Sequence, residues 1–376
     1  MFEKLLAICM IVKNRKPFLE LNLPVFAKIA DELVIVDTGS NKDTLDFCRK
    51  NATRIYEQAW ENDFSKPRNL SLKKARANWL LVLDSDEFVS EELLVKLKAL
   101  LAENELPNDV YAVPVYNNKV GSFNINAQFT LKQRLIRNHK GIHFTGKILE
   151  SLVDKQNKHI ENVFVIEDFH VMHWGVPDNL AKEDWASKKE RNIFILRQEV
   201  EEASTDIEKN RYLYQLAVNY FEKGEQEKAV ALLSELINKK EVCQNKYFYL
   251  DIGVKLARYL LIMGKLVQGE KVALEVLERD RNRAELWNTL GLISLGRKEW
   301  DKALGFFKES IKTHLPQNAG ADYLVAEYTY LNRFYLGFTC FFKGEPAEAK
   351  KWFEESIARG ANKSTKAKIE NIMEGR

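Results

Sequence analysis

The chain has 376 residues, more than one ordinary core accommodates, so two domains are expected. Hydrophobic residues make up 45% and charged residues 30%, and 57 basic against 54 acidic side chains argue against a nucleic-acid or anionic-membrane footprint. Four scattered cysteines (Cys9, Cys48, Cys243, Cys340) form no CxxC pair, which argues against a disulfide frame or zinc site and for a reducing, cytoplasmic setting.

The apolar run LLAICMIV (Leu5 to Val12) has no basic segment before it and no cleavage site after it. It is too short to span a bilayer and reads as the first strand; no other stretch reaches transmembrane length. A helical stretch near Phe18 to Ala30 follows, then the strand ELVIVD (Glu32 to Asp37), the turn TGSN and the helix DTLDFCRKNA. TRIYEQA is extended, NDFSKPRNLSLKKARA is helical from about Pro67, and WLLVLD completes the alternation. Strands alternating with helices predict a mostly parallel sheet covered by helices. WLLVL (Trp79 to Leu83) is apolar without alternation, as in a strand buried on both faces.

That strand ends in DSDE. Asp84 and Asp86 flank one residue, so their oxygens can converge on one hard cation where the chain turns, at the strand end where open α/β sheets bind ligands. SEELLVKLKALLAE then reads as an amphipathic helix with Ser90 as N-cap. Residues 109 to 172 are β-rich and fit a mixed-sheet extension of the same domain.

From about Asp178 the chain is helical and repeats. Small residues recur at Ala217, Ala257, Gly291 and Gly337, and twelve residues after each stands another, Ala229, Gly269, Ala303 and Ala349. Small side chains are needed where the two helices of a hairpin approach most closely. The pattern resembles the tetratricopeptide repeat (TPR), with terminal capping helices over Asp178 to Ala203 and from Ser364 onward. The expected domains are residues 1–177 and 178–376, an α/β domain followed by an all-α repeat domain of the kind that offers a binding surface.

In order, CMIVKN, ELVIVDTGSNKDT, WENDFSKPRN, WLLVLDSDEF, QRLIRNHKGIHFTGKILES and HVMHWG resemble a family 2 glycosyltransferase of the GT-A fold. The similar group joins this Rossmann-like mixed-sheet domain to a helical-repeat tail, and includes lipopolysaccharide-core transferases and peptide S-glycosyltransferases. The resemblance implies a nucleotide-sugar donor, with UDP the expected nucleotide, and Mn²⁺ or Mg²⁺ on its diphosphate. It makes Asp86 a direct metal ligand and gives Asp84 a contact to ribose or metal-bound water. Asp37 is either a contact to the base or an acid beside a tight turn. Arg68 and Asn69 match an RN pair near the diphosphate, Asp63 is a further donor-pocket candidate, and Lys13 and Asn14 match the loop after the first strand. His173 is either a third metal ligand or phosphate contact, or a structural hydrogen-bonder. Where related proteins carry G-x-x-H-E, this chain has Gly146 to Glu150 with Leu149 in the histidine's place, so Glu150 is the leading catalytic base and Asp168 the next. Glu87 reads as a surface acid.

The expected activity is metal-dependent, inverting transfer to a polypeptide or glycan acceptor. The repeats would bind acceptor, partner or a second subunit in a homodimer. The alternative is a non-catalytic repeat scaffold with a degenerate transferase domain. A nucleotidyltransferase lacks support, because no glycine-rich phosphate loop follows the first strand.

Overall fold

The computed structural model describes residues 4–103, 106–118, 129–160, 164–166, 168–174, 181–314 and 325–374. Two compact units divide the chain, one of residues up to Glu199 and one comprising Val200–Arg376. The expected boundary at 177/178 lies outside the described residues.

The first unit runs β1 (Leu6–Val12), α1 (Lys16–Ile29), β2 (Glu32–Asp37), α2 (Lys42–Asn51), β3 (Arg54–Glu57), α3 (Ser65–Lys74), β4 (Trp79–Asp84), β5 (Glu87–Phe88) and α4 (Glu91–Ala102). It continues through β6 (Val110–Asn118), β7 (Phe129–Arg137), β8 (His143–Thr145), β9 (Ser151–Val153), β10 (Phe164–Val165), β11 (Val171–Trp174) and α5 (Ala181–Glu202), whose residues to Glu199 group here. The main sheet has the order β3-β2-β1-β4-β7-β6-β11-β5, with β10 alongside β6; β8 and β9 form a separate pair. β3, β2, β1 and β4 are mutually parallel, and β7 joins antiparallel to both β4 and β6. The predicted alternation and its mixed extension are both present.

The unalternating apolar strands have a direct cause. Leu6, Ile8, Met10 and Val12 of β1, with Leu81 and Leu83 of β4, pack on one face against Leu19, Leu23 and Phe26 of α1 and Leu94 and Leu97 of α4. Ala7, Cys9, Leu80 and Val82 enter a second core on the other face, with Leu72 of α3. Each large aliphatic side chain so buried contributes roughly 1.5–3 kcal/mol. Ser90 caps α4 as expected, its hydroxyl accepting from Leu93 N at 3.3 Å.

Among the described residues the second unit contains four helical hairpins: Asp206–Lys223 with Gln226–Leu236, Lys246–Ile262 with Leu266–Arg279, Ala284–Gly296 with Trp300–Ile311, and Leu331–Lys343 with Pro346–Ala358. Every predicted small-residue pair falls within one hairpin, one member on each helix. A Cβ on Gly269 would lie 3.4 Å from Ala257 O, and one on Gly337 would lie 3.1 Å from Ala349 O, so the paired positions are where the two helices meet. The hairpin turns share one hydrogen bond: Glu225 N to Tyr220 O, Lys265 N to Leu260 O, Glu299 N to Ser294 O and Glu345 N to Cys340 O, each 2.8–2.9 Å. No helix among the described residues is long and apolar enough to cross a membrane.

Candidate active site at the carboxyl ends of the parallel strands

Register places the key acids at one level. Val12 pairs with Asp37 and Ile11 with Asp84, so the two carboxylates flank the end of the central strand β1. Asp37 Oδ2 accepts from Gly39 N and Ser40 N, both at 3.0 Å, closing the turn after β2; Oδ1 is buried with no hydrogen-bond partner. Both sequence readings of Asp37 therefore have an atom to serve them. Asn14, left-handed at φ 59°, links the neighbouring loops: its N donates to Ser40 Oγ at 2.7 Å and its Oδ1 accepts from Asn41 N at 2.9 Å. Lys13 beside it is exposed.

Asp84 is held by two buried arginines. Arg68 Nη2 of α3 donates to Oδ1 at 2.6 Å, and Arg134 Nη2 of β7 donates to Oδ2 at 2.8 Å. Burial alone would raise the Asp84 carboxyl, but the guanidinium groups of Arg68 and Arg134 outweigh it and hold it well below the usual carboxylate range. Arg68 Nε also donates to Glu150 Oε1 at 2.8 Å, and Arg134 Nη2 also donates to Glu87 Oε1. Glu87 is fully buried and its Oε2 accepts from Asp84 N at 2.9 Å, so it is an internal strut and not a surface acid. Arg68 Nη1 and Arg134 Nε remain buried without a partner.

Asp86 lies apart from the arginines. β11 runs antiparallel to β5 with His173 opposite Glu87, and Trp174 N donates to Asp86 O at 2.9 Å, so a distant segment closes over the turn. His173 Nε2 stands 3.5 Å from Asp86 Oδ2, while Nδ1 is 2.9 Å from Asn117 Oδ1. Burial would raise the Asp86 carboxyl; the His173 ring outweighs it and holds the carboxyl below its ordinary value. Burial pulls down the Lys188 ammonium of α5, with the charge of Asp86 opposing.

Other expected residues have structural partners. Asn69 spends both ends of its amide on Phe144, donating to its O at 2.8 Å and accepting from its N at 2.7 Å, which pins α3 to β8. Asp63 Oδ1 accepts from Lys66 N at 3.2 Å, an acid two residues ahead of α3 that satisfies one of its first N–H groups. Glu150 is drawn into the cluster by the loop after β8, where Gly146 and Leu149 are left-handed and Phe64 N donates to Lys147 O at 2.9 Å. Asp168 is exposed in the turn before β11, where its charge acts on Lys96 of α4, and the structure does not bring it to the cluster. Arg134 was missed by the sequence reading. Its signal was two basic residues two apart in one strand, Lys132 and Arg134, both of which reach Glu87.

Among the described residues no group of three or more His, Cys, Asp or Glu side chains stands ready to hold a metal ion. Asp86 and His173 nevertheless suit a cation. If Nδ1–H donates to the Asn117 carbonyl, Nε2 of a neutral ring turns a lone pair toward a carboxylate oxygen. Two acceptors facing each other call for a proton or a metal ion between them.

A mixed α/β sheet with acids and arginines gathered at the crest of its parallel strands, together with a unit of repeated helical hairpins, defines the class. Residues 7–165 match the model of glycosyl transferase family 2, and this segment is a family 2 glycosyltransferase domain, followed by TPR-like repeats. The chain is 24% identical over 256 residues to the SPbeta prophage-derived glycosyltransferase SunS of Bacillus subtilis, covering 67% of this chain and 58% of that one. It is 29% identical over 138 residues to a TPR repeat-containing protein of Synechococcus elongatus, covering 37% of this chain and 33% of the relative. It therefore spans about a third and about three-fifths of these curated relatives' lengths. Among solved structures, S. aureus TarS (residues 1–349) aligns with TM-score 0.35 at 15% identity over 84% of this chain and 95% of that one. MamA aligns with TM-score 0.37 at 15% identity over 52% of this chain and 99% of that one.

Proposed function

We propose that the chain is a metal-dependent, inverting glycosyltransferase that moves a sugar from a nucleotide donor, with UDP the expected nucleotide, to a polypeptide or glycan acceptor. The observation that carries this reading is the Asp84–Asp86 turn, with Asp84 clamped by two buried arginines and Asp86 facing His173. Unpartnered Asp37 Oδ1 supports a role in accepting from a base N–H, and unpartnered Arg68 Nη1 supports a role in donating to a phosphoryl oxygen. Asp86 and His173 would hold Mn²⁺ or Mg²⁺, which supplies Lewis-acid stabilisation of the departing diphosphate. Asp84 acts through the arginines, fixing the cationic side chains beside the leaving group. Glu150, oriented by Arg68, is the base for the acceptor in this reading. The helical unit would present the acceptor, a partner or a second copy of the chain.

Calorimetric titration of UDP with and without Mn²⁺ tests the donor site. Saturable binding that requires Mn²⁺ and disappears in Asp86→Ala, with the melting temperature nearly unchanged, is the expected result. No nucleotide binding under either condition would favour a repeat scaffold instead.

A further inference from the structure

A cleft of about 410 Å³ opens in the first unit, within the range of about 300–1,000 Å³ typical of small-ligand sites. Val110 lines it and stands opposite Ile136, which pairs with Leu80 near the start of β4. Asp84 ends that strand, so the cleft lies roughly 13 Å along it from the charge cluster and is a separate site. The β8–β9 pair forms a further wall. Ile142, Asp154, Lys155 and Gln156 at its open end border the cleft, while the loop at its closed end carries Glu150.

Ile142 and Ile160 give the cleft an apolar floor, both packed on the core that holds Phe144 and Leu152. Beside them Phe164 is 42% exposed, with the buried Tyr111 ring as a neighbour at 6.3 Å between centroids. The polar rim is braced from within. Asp109 is held by Arg137 Nε at 2.9 Å and Lys140 Nζ at 3.7 Å. Asp154 Oδ1 accepts from Gln156 N at 2.8 Å and Lys158 N at 3.0 Å, which fixes the turn after β9. That turn leaves Lys155 and Gln156 exposed, their end groups without a partner among the described residues.

These surfaces suit a ligand of two characters. The isoleucine floor and the Phe164 ring take an apolar face, and the negative face of an aromatic ring favours the slightly positive hydrogens of C–H groups. The ammonium and amide groups of the rim donate, and its carboxylate and amide oxygens accept, so the rim matches groups that do both. Hydroxyls do both, and a sugar ring carries them around its C–H faces. Two lysines against two aspartates leave the lining without net charge, so a phosphate or nucleotide gains no cationic field there and faces two carboxylates. A wholly apolar ligand strips water from the rim and returns no hydrogen bonds.

We propose that this cleft binds a saccharide, either a single sugar or a unit of a glycan chain, at a place apart from the donor site. The inference does not rest on the transferase reading. The test is saturation-transfer NMR on the full chain with methyl β-glucoside, methyl β-galactoside, N-acetylglucosamine, lactose and uridine monophosphate. A saturable response from a sugar is expected, and it should persist in Asp86→Ala. Phe164→Ala and Gln156→Ala should each weaken it about fivefold, the worth of one aromatic contact or one hydrogen bond. Both side chains are exposed, so the far-UV circular dichroism should stay native. Tighter binding of lactose than of methyl β-galactoside assigns a glycan chain; equal or weaker binding assigns a single sugar. A response unchanged in both folded cleft variants, as when the sugar sits at the strand crest and Asp86→Ala removes it, would overturn the proposal. So would no response from any sugar, or a uridine monophosphate response that Phe164→Ala removes.

Discussion

Arg68 holds Asp84 through Nη2 and Glu150 through Nε, joining a strand end to a loop far along the sequence. Replacing it by methionine roughly keeps the volume, strands Glu150 and leaves Asp84 with Arg134 alone. A fully buried pair broken this way costs about 3–5 kcal/mol, but the Asp84 side chain is 27% exposed. Solvent screening then lowers the expected loss to roughly 2–4 kcal/mol, read from the urea midpoint at constant slope. Arg68→Lys can restore one contact but not the fork, so its stability should fall between the two. A change below about 0.5 kcal/mol in Arg68→Met would mean the bridge does not hold the loop. Asp37, Asp84 and Asp86 were legible in the sequence because an acid directly after an apolar strand is placed by the strand itself. Asn69 and Asp63 read like donor contacts and have intramolecular partners, a brace to Phe144 and an N–H at the start of α3, since the same residue types serve both purposes and local sequence does not separate them. Arg134 was harder to read for a related reason: the Lys132/Arg134 pair marks a basic face, but its partner depends on β7 lying beside β4, which no local pattern states.

The hairpin turns show what repetition constrains. Gly224, Gly264 and Gly344 occupy a left-handed position at three turns, and Lys298 takes φ 60° at the corresponding turn of the third. Lys298→Gly should stabilise the chain by about 0.5–1 kcal/mol, because a left-handed lysine carries a steric cost that glycine does not. In the same hairpin, a Cβ added to Gly291 would lie 2.3 Å from Phe307 Cε1. Alanine is favoured over glycine in a helix by about 1 kcal/mol, yet Phe307 is fully buried and has nowhere to withdraw. Overpacking should dominate, with a net loss of about 1–3 kcal/mol in Gly291→Ala. Thermal unfolding of the two variants should therefore move in opposite directions. Equal shifts would show that the close approach is not enforced there.

Across the whole chain, periodicity announced the change from alternating strands and helices to paired helices, because each period follows from how its side chains are buried. What periodicity does not tell is which core a helix at the change belongs to. α5 is helical like the repeats, yet Glu199 Oε1 accepts from Lys147 N at 3.1 Å and the Arg191 guanidinium lies 5.1 Å from the Phe64 ring centroid. Ile193, Ile195 and Leu196 of the same helix are all buried. These contacts brace the loop that carries Glu150 and the start of the helix that carries Arg68. A chain ended at residue 202 should thus unfold cooperatively and keep the nucleotide affinity of the full protein. One ended at residue 177 loses that helix, exposing the surface beneath Phe64 and releasing the Glu150 loop. Its melting temperature should fall by at least about 10 °C, since several buried side chains, each worth roughly 1.5–3 kcal/mol, leave together. Differential scanning calorimetry of both chains, with a UDP titration of each, makes the comparison. Equal melting temperatures and equal affinities would mean that the sheet and its charge cluster hold their shape without α5.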